Sequence, residues 1–233
     1  MINHALRCIF VHIPKTAGNS VNRALGVDWQ DHKDLARYAA ELSPEVFARY
    51  YKFAIVRNPW ERIFSDYNFQ RKKSRQGAAK LFVRTESGER RHFRAWLEAA
   101  LAEPDHYLPA TWGGEVSSGI HRWSPQVDWI TVNGRITVDA ILRMENLPDD
   151  FYEVCTALGL PPIRLPHRNR RFHWPYSWYY DGDSRRLVAD YYRRDIDTFG
   201  YRFAGGSSVL RTARQVRLTG IFAPSPIVST PSP

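Results

Sequence analysis

The chain has 233 residues, of which 43% are hydrophobic and 24% charged, so it can bury one sizeable core. A formal net charge of +9 predicts an anionic partner: a nucleic acid, an anionic membrane surface or a phosphorylated cofactor. No apolar run approaches the roughly 18 residues of a membrane span, and the first residues lack a signal-peptide pattern, so we expect neither feature. With only Cys8 and Cys155, a disulfide framework is excluded, which favours a reducing cytoplasm.

The first predicted strand is the buried-looking run at residues 6–13, which stops at Pro14. Residues 15–20 then bring a lysine, small residues and hydroxyl groups, and a short helix follows that Gly26 ends. Small residues let a backbone approach a ligand closely, and free N–H groups at a helix start bind anions. The pattern predicts an anion-binding loop with Lys15 as its full positive charge. It is not the G-x-x-x-x-G-K-[ST] sequence of nucleoside-triphosphate P-loops.

A second strand with a similar ending is predicted at residues 51–56, after two helices at 32–42 and 43–51. This strand ends at Arg57, and Pro59 opens the next helix. Alternating strands and helices indicate an α/β domain with a parallel sheet, whose ligands bind at the carboxyl ends of the strands. If the two strands are neighbours, Lys15 and Arg57 converge on one ligand. Two separate anion sites suit a nucleotide with phosphates at both ends of its ribose.

The later chain alternates regular elements with irregular segments. Residues 70–92 and 103–124 predict surface loops where an acceptor would bind. The predicted elements are a helix at 92–101, strands at 127–132 and 138–144, a helix at 147–158 capped by Asn146, and a final helix at 184–199. The composition then shifts to Gly, Ser, Thr and Pro, so we predict a domain over residues 1–204 and a disordered basic, Pro/Ser-rich tail over 205–233.

The two loops resemble those of one enzyme family. "HIPKTAGNS", residues 12–20, is similar to the 5′-phosphosulfate loop of sulfotransferases that use 3′-phosphoadenosine 5′-phosphosulfate (PAPS). "VRNPWERIFSDY", residues 56–67, is similar to their 3′-phosphate motif, an arginine at a strand end and a serine eight residues on. Both most resemble the branch of bacterial and Golgi heparan- and chondroitin-type carbohydrate sulfotransferases. Weaker similarity extends over residues 6–203.

This resemblance implies a three-layer, P-loop-like α/β fold with a central parallel sheet flanked by helices. It implies in-line transfer of a sulfuryl group from PAPS, the co-substrate, to a hydroxyl of a carbohydrate-like acceptor, with no metal. The implied nucleotide contacts are Lys15, Thr16, Ala17, Gly18, Asn19 and Ser20 at the phosphosulfate, Arg57 and Ser65 at the 3′-phosphate, and Arg168 and Arg170 in a loop that closes over the nucleotide. Without the membrane anchor and disulfides of many Golgi relatives, the chain resembles a cytoplasmic, bacterial-type member. Peripheral contact with an anionic membrane stays open.

Proton transfer from the acceptor needs a base, and the main candidates are His32 and His121, followed by His167 and His173 in the basic-aromatic stretch. His32 follows the first helix, where this branch carries a catalytic histidine, and imidazole suits proton transfer near neutral pH. With Lys15 it forms the predicted catalytic pair. His121 is the rival base, and with Trp112 and Trp123 it is also a candidate for acceptor contacts.

Two other functions stay open from the residues alone. A nucleotide-dependent phosphotransferase lacks support because neither G-K-[ST] nor an acidic magnesium ligand after a strand is present. A basic nucleic-acid-binding protein fits the +9 charge and the basic-aromatic stretch at 165–182. No nucleic-acid reader motif is recognisable, so we expect no nucleic acid partner.

Overall fold

The computed structural model describes residues 1–27, 32–75, 85, 87, 89, 91–103, 119–165 and 175–203. The strands are β1 (Ile2–Asn3), β2 (Cys8–Val11), β3 (Tyr51–Val56), β4 (Thr131–Val132), β5 (Arg135–Ile136) and β6 (Ala140–Arg143). The helices are α1 (Gly18–Ala24), α2 (Leu35–Glu41), α3 (Pro44–Arg49), α4 (Pro59–Arg75), α5 (Phe93–Ala102), α6 (Gln126–Trp129), α7 (Leu147–Ala157), α8 (Gly182–Tyr191) and α9 (Arg193–Phe199). The predicted tail at 205–233 lies outside these described residues.

A four-stranded sheet in the order β1-β2-β3-β6 forms the centre of the described chain. Strands β2, β3 and β6 run parallel, with Phe10 opposite Phe53 and Phe53 opposite Ala140. The short edge strand β1 runs antiparallel to β2. Neighbouring parallel strands end at the same edge, so the segments after β2 and β3 both emerge there.

Both faces of the sheet are covered by helices, because successive strand residues point to opposite faces. The first face packs Ile9, Val11, Ala54 and Val56 with side chains from α2, α6 and α9. The second face packs Cys8, Phe10, Phe53 and Ile55 with side chains from α1 and α7. A further aromatic cluster joins α4, α5 and α8. These layers confirm the predicted α/β fold with a central, mostly parallel sheet flanked by helices.

The structure corrects four local predictions. Residues 70–75, predicted as the start of a surface loop, continue α4, which ends at Arg75. Residues 127–132, predicted as a strand, form the end of α6 followed by the two-residue β4. Asp195 accepts the backbone N–H groups of Gln126 and Val127, so a distant carboxylate stabilises this short helix. The predicted final helix breaks at Tyr192 into α8 and α9. Asn146 precedes α7 as predicted, but its Nδ2 donates to Asp150 and its side chain makes no capping bond to the backbone.

No helix among the described residues is long and apolar enough to span a membrane.

Candidate active site

The loop after β2 is a tight turn with an unusual backbone. Lys15 and Ala17 have φ values of 71° and 64°. These values lie in the left-handed region, which residues other than glycine seldom adopt. The Thr16 hydroxyl is buried and donates to the carbonyl O of Ile13 at 2.8 Å, and the Ser20 N–H donates to the carbonyl O of Ala17 at 2.9 Å. The Thr16 side chain is therefore used inside the loop, and Lys15 is half-buried.

Gly18 must be glycine because the His12 ring occupies the space of its side chain. A Cβ atom built on Gly18 would lie 1.9 Å from His12 Cδ2. His12 is buried and stacks on Phe10, with ring centroids 5.8 Å apart. Burial, and next the nearby His32, hold the pKa of His12 well below its ordinary value. A neutral imidazole thus packs directly against Gly18 in the loop.

Arg57 brings the second loop against the first. Its Nη1 donates to the carbonyl O of Lys15 at 3.2 Å, and its Nη2 donates to Glu61 at 2.8 Å. The Nε of Arg57 is buried and has no hydrogen-bond partner within the described part of the chain. The structure therefore joins the two predicted loops through the Arg57 guanidinium.

Helix α4 lies beside both loops. Ser65, half-buried, is one turn before Phe69 on this helix. The Lys15 ammonium lies 4.3 Å from the centroid of the Phe69 ring, and the Arg122 guanidinium lies 5.3 Å from it. This aromatic ring fixes Lys15 toward α4 through cation–π attraction.

His32 is held in one tautomer by a hydrogen bond to the backbone. Its Nδ1 lies 2.6 Å from the carbonyl O of His12, and a carbonyl only accepts, so Nδ1 carries the proton. The lone pair of the neutral ring is then on Nε2. The pKa of His32 is lowered to about 4, mainly by burial, with smaller contributions from the positive charges of Arg122 and Lys15, while the hydrogen bond to the His12 carbonyl acts in the opposite direction. The ring is therefore neutral at pH 7, and a pKa this low makes it a weaker base than a free imidazole.

His121 and Trp123 are placed differently from His32. His121 is 8% exposed, and its Nδ1 accepts the backbone N–H of Trp123 at 3.2 Å. Its Nε2 lies 3.5 Å from the Tyr191 hydroxyl. Trp123 is buried in the aromatic cluster and donates from Nε1 to Asp66 at 2.8 Å. These hydrogen bonds fit a structural role, and the burial of both residues argues against acceptor contact.

Four buried polar residues near the site escaped the sequence analysis: Arg62, Asp66, Arg122 and Gln126. Arg122 and Asp66 form a buried two-point ion pair, with Arg122 Nε donating to Asp66 at 2.6 Å. The only sequence signal for them was the spacing of Arg62 and Asp66 on α4, four residues apart beside the apolar stripe. Opposite charges at that spacing are also typical of an ion pair on a solvated helix face, so the pattern does not by itself indicate burial.

The remaining site predictions lie outside the described residues: Trp112, His167, Arg168, Arg170 and His173. Within the described ranges, no group of three or more His, Cys, Asp or Glu side chains could hold a metal ion.

Comparison with known proteins identifies the class. A family model described as "Sulfotransferase family" matches residues 1–202. The chain therefore belongs to the sulfotransferase family, whose P-loop-like fold agrees with the sheet and its two converging loops. Neither the curated proteins nor the solved structures yield a match. The family match gives no support to a phosphotransferase or a nucleic-acid-binding protein.

Proposed function

We propose that this sulfotransferase uses PAPS and transfers its sulfuryl group to a hydroxyl of a carbohydrate-like acceptor by in-line displacement. The observation that carries the proposal is the hydrogen bond from Arg57 Nη1 to the carbonyl O of Lys15. This hydrogen bond supports the proposal because it joins the segment after β2 to the segment after β3, and each of these segments carries a cationic residue. A nucleotide phosphorylated at both the 3′ and 5′ positions is the ligand that such a pair of loops suits.

Each anionic end of the nucleotide has its own loop in this proposal. The loop from Lys15 to Ser20 binds the 5′-phosphosulfate through its ammonium and its backbone N–H groups. Arg57 binds the 3′-phosphate with its guanidinium, which the Lys15 carbonyl and the Glu61 carboxylate hold in place. Ser65 adds a hydroxyl group from α4. A guanidinium oriented by fixed partners loses little freedom when it binds a phosphate.

Lys15 and His32 divide the chemistry between them. The acceptor oxygen attacks sulfur, the bond from sulfur to the bridging phosphate oxygen breaks, and negative charge grows on the departing phosphate. Lys15 stabilises that charge. His32 Nε2 takes the acceptor proton, while the His12 carbonyl continues to accept from Nδ1 and favours the imidazolium that forms.

The proposal also includes a carbohydrate class of acceptor and a cytoplasmic location. The likeness of both loops to those of carbohydrate sulfotransferases supports the first. The second rests on the cysteine content, since both cysteines are free and buried and neither is part of a disulfide.

The acceptor is tested by incubating the full chain and PAPS with panels of mono- and oligosaccharides, phenols and alkylamines, followed by mass spectrometry. We expect a mass gain of one SO₃ group on saccharides carrying free hydroxyls. Transfer only to phenols or amines would contradict the carbohydrate assignment. The Lys15→Ala variant serves as the control for uncatalysed transfer.

A further inference from the structure

Gln126 continues the β-ladder beyond the end of β3. Its Oε1 accepts the backbone N–H of Arg57 at 2.9 Å, and its Nε2 donates to the carbonyl O of Arg57 at 2.9 Å. Strand β3 ends one residue earlier, at Val56, which is the last residue paired with β6. A fully buried side-chain amide therefore supplies the two hydrogen bonds that a neighbouring strand would supply. These bonds fix the backbone from which the Arg57 guanidinium extends.

Asp195 holds that amide in place. Its Oδ2 accepts from the Gln126 backbone N–H at 2.8 Å and from Gln126 Nε2 at 3.1 Å. Its Oδ1 accepts the Val127 N–H at 2.9 Å. The carboxylate is fully buried on α9 and reaches across to α6. Gln126 has one orientation because its Nε2 must face both the Arg57 carbonyl and this carboxylate.

Arg62 extends the same set of contacts to the other loop. Its Nη1 lies 3.9 Å from Asp195, and its Nε donates to the carbonyl O of Pro14 at 3.3 Å. Pro14 immediately precedes Lys15. The guanidinium also donates to the carbonyl groups of Arg122 and Ser124 at 2.9 and 3.2 Å. One buried arginine thus ties the lysine loop to the segment that carries Gln126.

We propose that Gln126, Asp195 and Arg62 form a positioning network that sets the geometry of both anion-binding loops. Gln126 orients Arg57 and so determines how much the 3′-phosphate contributes to nucleotide affinity. Arg62 orients the Lys15 loop and so affects the transfer step. The inference rests on the proposed function, because it assigns these roles to the two ends of PAPS. Small misplacements of such groups are costly, since charge stabilisation depends on fixed geometry.

The test for Gln126 measures how strongly the chain prefers adenosine 3′,5′-bisphosphate over AMP, not its affinity for one nucleotide alone. Gln126→Met keeps a similar length but leaves the Arg57 N–H and carbonyl without these partners. Calorimetric titration gives Kd for adenosine 3′,5′-bisphosphate and for AMP. We expect the preference for the bisphosphate to fall at least about tenfold, with AMP affinity changed by less than about threefold. Gln126→Asn keeps the amide but shortens the side chain, so it should lower the preference for the bisphosphate by a smaller factor. This variant replaces Gln126→Met if the methionine variant does not fold.

A destabilising substitution elsewhere separates positioning from a general structural role. Val154→Ala makes a cavity in α7, on the opposite face of the sheet from α6 and α9. It should lower stability to urea while the preference for the bisphosphate stays unchanged. A folded Gln126 variant that keeps the original preference, or that loses affinity for both nucleotides equally, would overturn the positioning role. Equal binding of both nucleotides by the unaltered chain would instead overturn the proposed function.

The test for Arg62 uses turnover. Arg62→Lys keeps the positive charge beside Asp195, but an ammonium lacks the planar fork that reaches carbonyl groups from two segments. We expect kcat to fall at least about tenfold with KM for PAPS changed by less than about threefold. A rise in KM with kcat unchanged would overturn the assigned role of Arg62.

Discussion

Arg57 and Glu61 form an ion pair at the place where we propose that the 3′-phosphate binds. A carboxylate 2.8 Å from the guanidinium repels a phosphate that shares it, although it also fixes the guanidinium. Glu61→Gln keeps an oxygen that accepts from Arg57 and removes the charge. We expect adenosine 3′,5′-bisphosphate to bind about 0.5–1 kcal/mol more tightly, the size typical of a partly exposed charge, with AMP affinity unchanged. Calorimetry measures both.

Helix α5 offers a matched control for this substitution. Arg94 and Glu98 have the same i, i+4 spacing and a 2.9 Å contact, away from both loops. Glu98→Gln should leave both nucleotide affinities unchanged. Weaker bisphosphate binding by Glu61→Gln would show that orienting Arg57 matters more than the charge.

The two histidines are distinguished by what their ring nitrogens already bind. His32→Ala should lose roughly 10²–10⁴-fold in turnover while bisphosphate binding stays nearly intact, as expected for a general base. His121→Ala should lose about 1–3 kcal/mol of stability, with near-normal turnover, because its Nδ1 accepts the Trp123 N–H. Steady-state kinetics and urea titration measure these quantities. The opposite pattern would assign the base to His121.

The pH profile follows from the pKa of His32. A base works when deprotonated, and burial lowers this pKa to about 4. Because kcat/KM reports the free enzyme, its acid limb for the unaltered chain should lie near pH 4 and not near 6.5. A limb that begins near the ordinary histidine value would contradict the burial of His32.

At the scale of elements, the loop and α1 depend on the contact between Gly18 and His12. Gly18→Ala places a methyl group on the His12 ring, which in turn lies 4.1 Å from the His32 ring. We expect a stability loss of about 1–3 kcal/mol, the usual cost of overpacking, together with reduced turnover. Urea unfolding measures the first effect.

Gly182→Ala on α8 is the comparison for that substitution. Its added Cβ would meet only Arg186 Nη1, at 3.7 Å, an ordinary contact. It should be neutral or slightly stabilising, because alanine favours helices over glycine. A Gly18→Ala protein as stable as Gly182→Ala would mean that the His12 ring moves without cost.

The elements near the site differ in how far sequence could predict them. Strand β3 and the start of α4 were predicted correctly, because an uninterrupted apolar run and then Pro59 are local signals. Helix α6 was missed because its apolar residues also fit a strand. Its N-terminal N–H groups bind Asp195, which lies 69 residues from Gln126. Contacts of this kind have no local sequence pattern.

In the candidate site, too, residues with a local sequence signal could be predicted, and residues that depend on contacts distant in sequence could not. Lys15 and Arg57 could be predicted because each follows a strand, and the parallel order of β2 and β3 brings them together. Arg62 looked like one more charge on a helix. Its burial depends on carbonyl groups of Pro14, Arg122 and Ser124, which only the folded chain assembles.

At the scale of the whole molecule, the sheet and the net charge support the proposed ligand site in different ways. The carboxyl edge of β2 and β3 carries both loops that we propose to bind anions, and helices cover both faces of the sheet. The chain's +9 net charge favours association with an anionic nucleotide at any part of this edge. Charge alone does not discriminate among nucleotides, so discrimination must come from the spacing of the two loops.

The most direct measurement of the central claim compares thermal unfolding of the full chain with equal concentrations of adenosine 3′,5′-bisphosphate, AMP and ATP. A ligand that binds only the folded state raises Tm in proportion to the logarithm of its concentration over Kd. Two loops that each hold one phosphate predict a clearly larger rise with the bisphosphate than with AMP or ATP, and loss of that difference in Arg57→Ala. Equal stabilisation by AMP and the bisphosphate would contradict a site built for PAPS.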